Sequence, residues 1–133
     1  MKATLRYRAN IIIKAVTPFI ANAKSVLDIG CGNGVVSAAI KDHFGCDLVG
    51  TDPDDYGEKA IPFQKMTEPS TLPFADQAFD VGLMNDVLHH VSRERQAALI
   101  ADALRVCHEL LIFEVKPTVL AKCVDYAANQ IHN

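Results

Sequence analysis

The sequence contains no apolar run long enough to cross a membrane. Its longest runs, residues 11–13 and 110–113, fall far short of the roughly 20 residues that a spanning helix requires. The first eight residues carry charges where a secretory signal would need an apolar segment. The net charge of −3 offers no basic face for nucleic acid. We therefore expect a protein without a membrane or nucleic-acid partner.

The sequence also lacks any close pairing of cysteines. There are four cysteines and no C-x-x-C pair or other metal-like spacing among them. Such isolated cysteines are typical of reduced thiols in a cytoplasmic protein, which is the location we predict. The four are Cys31, Cys46, Cys107 and Cys123.

Half of the 133 residues are apolar, which suits a single globular domain. Short apolar runs alternate with helical periodicity, a pattern typical of parallel βαβ units. The predicted strands are residues 25–29, 47–51, 62–67, 79–85 and 110–115. The predicted helices are residues 4–16, 34–44, 92–106 and 118–129, with a short helix or turn at 54–60. Pro18 is expected to disfavour helix at Thr17, and Ser92 to cap the third helix.

These elements predict an α/β fold: a doubly wound, Rossmann-like, mostly parallel sheet of strand order 3-2-1-4-5. Ligands of such sheets bind outside the carboxyl ends of the strands, beside the switch point between strands one and four. Acidic residues concentrate at those ends, and we take this edge as the candidate site. They are Asp28, Asp52, Glu68, Asp86 and Glu114.

The most informative segment is the glycine loop at residues 30–34, which has the spacing G-x-G-x-G. Dinucleotide enzymes use G-x-G-x-x-G instead, and a glycine loop alone is weak evidence. Asp28 precedes the first glycine, and its carboxylate would repel a pyrophosphate but attract an ammonium or sulfonium group. The pattern favours S-adenosylmethionine over NAD. Asp52, after strand two, can accept hydrogen bonds from ribose hydroxyls, or it can be a turn aspartate before Pro53.

Four segments in order, residues 26–34, 49–52, 72–81 and 85–91, resemble the successive motifs of type-11 class I methyltransferases. The resemblance covers about residues 20–115. It implies that Asp28, Gly30 and Gly32 line the methionine part of the cofactor, that Asp52 binds the ribose, and that Asn85 contacts the methionine end. Glu68 falls where the family binds the adenine amino group, or it is a solvated loop acid. The predicted cofactor-binding residues are Asp28, Gly30, Cys31, Gly32, Asp52, Pro53, Thr67, Glu68 and Asn85.

Methyl transfer is an in-line displacement, and a general base helps when the nucleophile is an OH, NH or activated CH. The candidates after strand four are Asp86, His89 and His90; we predict His89 and His90 as catalytic, with His89 slightly preferred. One of the two histidines can instead pack against or cap the next helix. No metal is predicted, because adjacent histidines should diverge and no third ligand has suggestive spacing. A small-molecule acceptor is expected.

The sequence departs from the family at its end, since only eighteen residues follow Val115 and antiparallel strands six and seven are not apparent. The strand-five edge would then be open, or covered by the last helix, a homodimer mate or a partner chain. The chain is either cut from a longer protein, a natural minimal domain, or half of a split enzyme. An alternative function follows: a cofactor-binding domain that is catalytically silent or needs a partner. Two segments, residues 6–8 and 125–132, are candidates for substrate contact.

Overall fold

The structure, a computed structural model, describes residues 2–55 and 57–114. Its helices are α1 (Ala3–Ile20), α2 (Val35–Phe44) and α3 (Arg93–Val106), with a single 3₁₀ turn at Leu88–His90. Its strands are β1 (Ser25–Ile29), β2 (Asp47–Asp52), β3 (Phe63–Lys65), β4 (Phe79–Asn85) and β5 (Cys107–Phe113). None of the described helices is both long and apolar enough to span a membrane.

The five described strands form one sheet of order β3-β2-β1-β4-β5, and every neighbouring pair is parallel. The chain moves outward from β1 to β3, then crosses back to place β4 on the other side of β1. Asp28 pairs with Gly50 of β2 and with Leu83 of β4. The predicted fold class and strand order are therefore confirmed, with the switch point between β1 and β4.

Each face of the sheet buries its own apolar cluster, because successive strand side chains point to opposite faces. In β1, Val26 belongs to the cluster beneath α1 and α2, and Leu27 belongs to the cluster beneath α3. The α3 cluster also contains Leu72, which is 2% exposed. The loop after Leu72 is fixed to α3 by Arg105, which donates to the carbonyls of Leu72 and Phe74 and pairs with Asp102.

Helix α1 is longer than the sequence predicts. It continues through Pro18 to Ile20, although proline has no N–H to donate and disfavours helix at the preceding residue. The Thr17 hydroxyl donates to the Ile13 carbonyl at 2.6 Å, and Ile20 is completely buried in the core. Burial of the last turn thus outweighs the missing hydrogen bond, and the predicted end at residue 16 is wrong. Helix α3 begins after Ser92 as expected, but the Ser92 hydroxyl makes no capping bond.

The predicted strands three and five differ from the structure. Strand β3 is only Phe63–Lys65, since the described pairing with β2 covers just three residues. Strand β5 starts at Cys107, directly after α3, and ends at Phe113. Its continuous apolar run is typical of a strand buried on both faces, but Ile112 is 40% exposed. Val115, the predicted helix at 118–129 and the candidate substrate segment at 125–132 lie outside the described residues.

The amino-terminal end of the sheet is fixed by Asp80. Its carboxylate accepts the backbone N–H groups of Lys24 and Ser25 at 2.8 and 3.2 Å, and the Ser25 hydroxyl accepts the N–H of Asp80 at 3.0 Å. Asp80 therefore ties the start of β1 to β4. This network lies at the end of the sheet opposite to the candidate site.

We predict that Leu27→Ala lowers the free energy of unfolding by about 2–5 kcal/mol, because the side chain is completely buried and its loss leaves a cavity. Leu104→Ala is the matched control, since Leu104 is 50% exposed on α3 and should change stability by less than about 0.5 kcal/mol. Urea unfolding of both variants measures the difference. Equal losses in the two variants would contradict the assignment of the core.

Candidate functional site

The glycine loop joins β1 to α2 at the switch point. Its three glycines, Gly30, Gly32 and Gly34, have φ angles of 79°, 57° and 78°. A Cβ at Gly30 would lie 2.5 Å from Val87, and one at Gly34 would lie 2.6 Å from Ile61, so both positions are closely packed. At Gly32 a Cβ would meet nothing within 4 Å. The loop therefore packs on both flanks and leaves its middle open to a ligand.

Two cavities lie on either side of this loop, and Gly30 and Gly32 line both. Their volumes, about 480 and 470 Å³, are within the usual range of small-molecule sites. Of the predicted cofactor-binding and catalytic residues, the first cavity is lined by Gly30, Gly32, Asp52, Pro53 and His90. The second is lined by Asp28, Gly30, Cys31, Gly32 and Asn85.

Three of the predicted residues line neither of these cavities. Thr67 and Glu68 are exposed, although their neighbours Met66 and Pro69 line the first cavity. His89 lies outside the two cavities and contacts Glu114, the residue that follows β5. The structure thus brings most of the predicted residues together and leaves Thr67, Glu68 and His89 at the margin.

Asp52, at the end of β2, is 7% exposed and accepts two backbone hydrogen bonds. One carboxylate oxygen accepts the N–H of Gly32 at 3.0 Å, and the other accepts the N–H of Asp54 at 2.9 Å. The second bond is the turn contact that the Asp-Pro sequence predicts. The first bond links the acid directly to the open glycine of the loop.

Asp28 is buried at the end of β1, where the Ser37 hydroxyl of α2 donates to its carboxylate. Burial raises the pKa of Asp28 to about 6; the bond from Ser37 opposes this shift, and the charge of Asp52 adds to it. Ser37 was missed by the sequence analysis, and its only signal is a polar residue among the apolar ones that open α2. The pair of acids gives the loop a negative potential.

Lys59 partly balances this potential, and the sequence analysis missed it too. Its ammonium donates to the Gly32 carbonyl at 3.2 Å, lies 3.8 Å from the Asp55 carboxylate, and stands 4.3 Å from the centre of the Phe63 ring. Only 9% of the side chain is exposed. The lysine therefore holds the carbonyl side of Gly32 while Asp52 holds its N–H side. Nothing in the sequence around residues 54–60 distinguishes it from a solvated charge.

Cys31 is half-buried beneath β2. Burial raises the pKa of its thiol to about 12, with further contributions from the charges of Asp28 and Asp52. A Cβ at Gly50 of β2 would lie 2.5 Å from the Cys31 sulfur, so the thiol occupies the space that a side chain at Gly50 would need. Cys31 therefore stays neutral and packs the loop against β2.

The end of β4 carries the candidate catalytic groups. Asp86 has a φ of 55°, and its carboxylate forms an ion pair with Arg8 of α1 at 2.6 Å. In the 3₁₀ turn that follows, Nδ1 of His89 lies 2.8 Å from the Glu114 carboxylate. The ring centres of His89 and His90 are 3.9 Å apart. The expectation that the two histidines diverge is wrong, because the tight turn brings their rings together at an interplanar angle of 45°.

The structure also changes the argument against a metal site, which was that no third ligand has suggestive spacing. Asp86, His89 and Glu114 each offer a ligand atom within 4.8 Å of the others, although Glu114 is distant in sequence. In this structure the carboxylates already hold Arg8 and the imidazole. The predicted absence of a metal stays a prediction.

Of residues 6–8, the first candidate segment for substrate contact, Arg8 reaches the site and Tyr7 is 68% exposed. Arg6 is also exposed. Leu5 joins Arg8 in lining the second cavity. Helix α1 therefore borders the cleft through Leu5 and Arg8.

Comparison with solved structures gives the same fold. A Pyrococcus horikoshii protein, PH0226, superposes with a TM-score of 0.80 at 18% identity, over 97% of this chain and 63% of its own. A SAM-dependent methyltransferase from Aquifex aeolicus gives 0.64 at 19% identity, over 81% of this chain and 64% of its own. Magnesium protoporphyrin IX methyltransferase from Synechocystis, solved with SAH, gives 0.65 at 17%, over 93% and 62%. At these identities the likeness establishes the fold only.

This chain spans less than two thirds of the length of each of those structures. A search among curated proteins finds no significant match. A family model described as a methyltransferase domain matches residues 27–110, which is more than half of the chain. The protein therefore belongs to the methyltransferase-domain family, as the motifs indicated, and its predicted cofactor, S-adenosylmethionine, is confirmed.

Proposed function

We propose that this chain transfers the methyl group of S-adenosylmethionine to a small-molecule acceptor. One observation carries the proposal: an open glycine loop lies between two cavities and is flanked by two nearly buried carboxylates, Asp28 and Asp52. In the described part of the chain, the acids that line the two cavities outnumber the basic side chains that line them, and such an excess favours a cationic ligand over a diphosphate. The cofactor brings such a charge, since its methyl group is carried on a sulfonium.

The two cavities suggest how the chain holds the two halves of the cofactor. In the first, the Asp52 carboxylate, beside Pro53, would accept hydrogen bonds from the ribose hydroxyls. In the second, Asp28 would attract the ammonium group, while Gly30, Gly32 and Cys31 line the methionine part and Asn85 contacts its end. Thr67 and Glu68 would meet the adenine from the margin of the first cavity, where both are exposed.

The acceptor is proposed to be a small molecule, as the sequence predicts. The net charge of −3 and the acidic residues at the carboxyl ends of the strands argue against a nucleic-acid acceptor. Among structures of the same fold, the Synechocystis protein is named for methyl transfer to magnesium protoporphyrin IX. His89 and His90 remain the proposed bases, and His90 is the one that lines the first cavity. Cytoplasmic location and a homodimer or partner chain at β5 remain predictions.

A second candidate is a domain that binds the cofactor but turns over only with a further chain. The chain spans 62–64% of three solved structures of the same fold, and this candidate is kept as the alternative to turnover by the chain alone. Turnover of any acceptor by the isolated, monomeric chain would exclude it. Cofactor binding without turnover across a broad acceptor panel would support it.

We predict that alanine has different effects on ligand binding at two glycines with the same backbone requirement. Gly32 and Gly45 both have positive φ angles, and a Cβ at either meets nothing within 4 Å. Alanine at either position should cost about 1–2 kcal/mol of folding free energy. Gly32→Ala should also weaken binding of S-adenosylhomocysteine at least about tenfold, because the methyl group enters the ligand's space. Gly45→Ala should not, since it lies at the far end of α2.

Calorimetric titration and urea unfolding of both variants check this prediction. Equal affinity in the two variants would place the cofactor elsewhere. Folded wild-type protein that binds neither S-adenosylmethionine nor S-adenosylhomocysteine would overturn the proposed function.

A further prediction follows from the raised pKa of Asp28, which is about 6 in the folded protein against about 4 in an unfolded chain. The ionised carboxylate therefore costs folding free energy above pH 6, and the cost fades as the pH falls from 6 toward 4. Asp28→Asn should raise the free energy of unfolding at pH 8 by about 1–3 kcal/mol, with little gain near pH 4. It should also weaken cofactor binding, because the ammonium loses its counter-charge.

Unfolding at the two pH values and titration at pH 8 measure both effects. Asp42→Asn is the control, since Asp42 is exposed on α2 and should change neither quantity. An Asp28→Asn variant that is less stable at pH 8, or that binds the cofactor as the wild type does, would contradict the role of this acid.

A further inference from the structure

Helix α1 presents a row of apolar side chains to solvent. Residues four apart are neighbours on one side of a helix, and such a row is formed by Tyr7, Ile11, Ala15 and Phe19. All four are exposed, Tyr7 to 68%, Ile11 to 51% and Phe19 to 53%. Five large apolar residues are exposed in the described part of the chain, and three of them belong to this row. We call these four residues the outer row of α1.

The outer row takes no part in the core. The core side of α1 consists of other residues, which are Ala9, Ile12, Val16 and Ile20. At 1.5 Å per residue, the row from Tyr7 to Phe19 is about 18 Å long. Ile11 and Ala15 also line a mostly apolar cavity of about 260 Å³ beside Glu114, together with Phe113 of β5. A continuous exposed apolar surface of this kind marks an interaction site.

The charges of the chain are segregated toward this helix. Residues 1–27 contain five basic residues and no acidic one, whereas residues 28–133 contain eight basic and sixteen acidic residues. The net charge of −3 conceals this difference. Arg8 pairs with Asp86. The other four are exposed and form no ion pair within residues 2–55 and 57–114: Lys2, Arg6, Lys14 and Lys24.

Two of these cations border the outer row. Lys14 lies three residues after Ile11, and residues at this spacing are neighbours on a helix surface. Arg6 directly precedes Tyr7 and lies about 100° around the helix from it. In helices that lie in a membrane interface, apolar and aromatic side chains enter the boundary of the acyl chains while lysines and arginines contact anionic headgroups. The exposed surface of α1 has both parts of this pattern.

The combination of an apolar row and exposed cations distinguishes between partners. Nucleic acid would match the cations but not the apolar row, because its phosphates bind charge. A second copy would have to offer acidic side chains, and several of its acids already accept hydrogen bonds within the fold: Asp28, Asp52, Asp80 and Asp102. An anionic bilayer matches both features, since its surface is negative and its interior is apolar.

We propose that α1 is a peripheral membrane anchor, with its outer row in the interface of an anionic bilayer and with Arg6 and Lys14 at the headgroups. The expectation of no membrane partner was based on the lack of a spanning segment, which a helix lying on the surface does not need. Helix α1 also lines the cofactor cleft through Leu5 and Arg8, so docking brings the edge of the cleft close to the bilayer. The inference goes beyond the proposed function and does not depend on it.

Vesicle sedimentation tests the anchor with the full chain. The protein should sediment with vesicles of equimolar phosphatidylcholine and phosphatidylglycerol, and it should stay in solution with phosphatidylcholine alone. Binding to the mixed vesicles should weaken as the salt concentration rises, because salt screens exposed charges. Absence of binding to the mixed vesicles, or equal binding to both compositions, would overturn the proposal.

Exposed apolar residues on two helices supply matched variants for the outer row. Ile11→Ser should weaken binding to the mixed vesicles about tenfold, because a large apolar side chain no longer enters the bilayer. Leu104→Ser, at a residue of α3 that is 50% exposed, should leave vesicle binding unchanged. Both variants should bind S-adenosylhomocysteine as the wild type does, since neither residue lines the cofactor cavities. Equal vesicle binding by the two variants would contradict the role of the row.

The cations have their own matched pair. Arg6→Gln combined with Lys14→Gln should weaken binding to the mixed vesicles at least about tenfold. Arg93→Gln combined with Arg95→Gln removes the same charge from the exposed start of α3 and should have little effect. Losses of the same size in the two double variants would show that net charge alone decides binding, and this would refute docking through α1.

Fluorescence tests which side chain enters the bilayer. The chain contains no tryptophan, so Phe19→Trp and Leu104→Trp each introduce a single one. With mixed vesicles, the emission of Phe19→Trp should shift to shorter wavelength and should be quenched by lipids brominated in their acyl chains. Leu104→Trp should show neither effect. No response from Phe19→Trp, or the same response from both variants, would overturn the orientation proposed for α1.

Two other outcomes would assign this surface of α1 to a different partner. Binding of a short DNA duplex as tight as vesicle binding, and unaffected by Ile11→Ser, would indicate a nucleic-acid surface. Self-association in analytical ultracentrifugation that Ile11→Ser abolishes would indicate an interface with a second copy. Either result would overturn the membrane anchor.

Discussion

Two carboxylates held almost out of water beside a glycine loop form the constraint on which the rest of the site depends. Removing ionised groups from water is costly unless they are hydrogen-bonded or paired. Asp52 receives two backbone N–H bonds, and Asp28 receives one hydroxyl bond while burial raises its pKa to about 6. The compensation is thus incomplete at Asp28. A ligand that brings positive charge into the cleft would complete it, which is why this loop suits a sulfonium cofactor better than a diphosphate.

The glycine loop is held by contacts on both of its sides. These contacts fix its position relative to the two carboxylates that create the negative potential. Asp52 holds the N–H of Gly32, and Lys59 holds its carbonyl. On either side Gly30 packs against Val87 and Gly34 against Ile61 without room for a Cβ. The backbone at Gly32 is therefore exposed to a ligand and is also held in a fixed position.

The sequence predicted β1 and β4 to the residue, the strand order and most of the cleft, because these features depend on local patterns. The glycine loop marks the end of β1. The bounds of β4 follow from a mostly apolar run that has polar residues on either side. It failed where tertiary contacts decide the outcome. Burial of Ile20 carries α1 past Pro18, and α3 leads directly into β5 at Cys107. The sequence did not reveal Lys59 and Ser37 as site residues, because the Gly32 carbonyl and the Asp28 carboxylate that they contact lie 27 and 9 residues away.

The contact between His89 and Glu114 shows why such pairs cannot be read from spacing. The two residues are 25 positions apart, and neither has a local signal of a partner. They meet because β4 pairs with β5 in a register that sets Asn85 opposite Phe113. This register brings the residues that follow the two strands to the same edge of the sheet, and the N–H of Asp86 bonds to the Phe113 carbonyl at 2.7 Å. The chemistry after β4 therefore depends on the parallel pairing of β4 with β5.

Arg8 connects that edge to the rest of the molecule. It belongs to α1, its guanidinium pairs with Asp86, and it lines both the cavity of Asp28 and the smaller apolar cavity beside Glu114. With about half of its side chain exposed, the pair adds little stability on its own. Its position matters more than its strength, because a shift of α1 that separates Arg8 from Asp86 would alter the boundary between the two cavities. Helix α1 is thus both part of the core, through Val16 and Ile20, and a wall of the site.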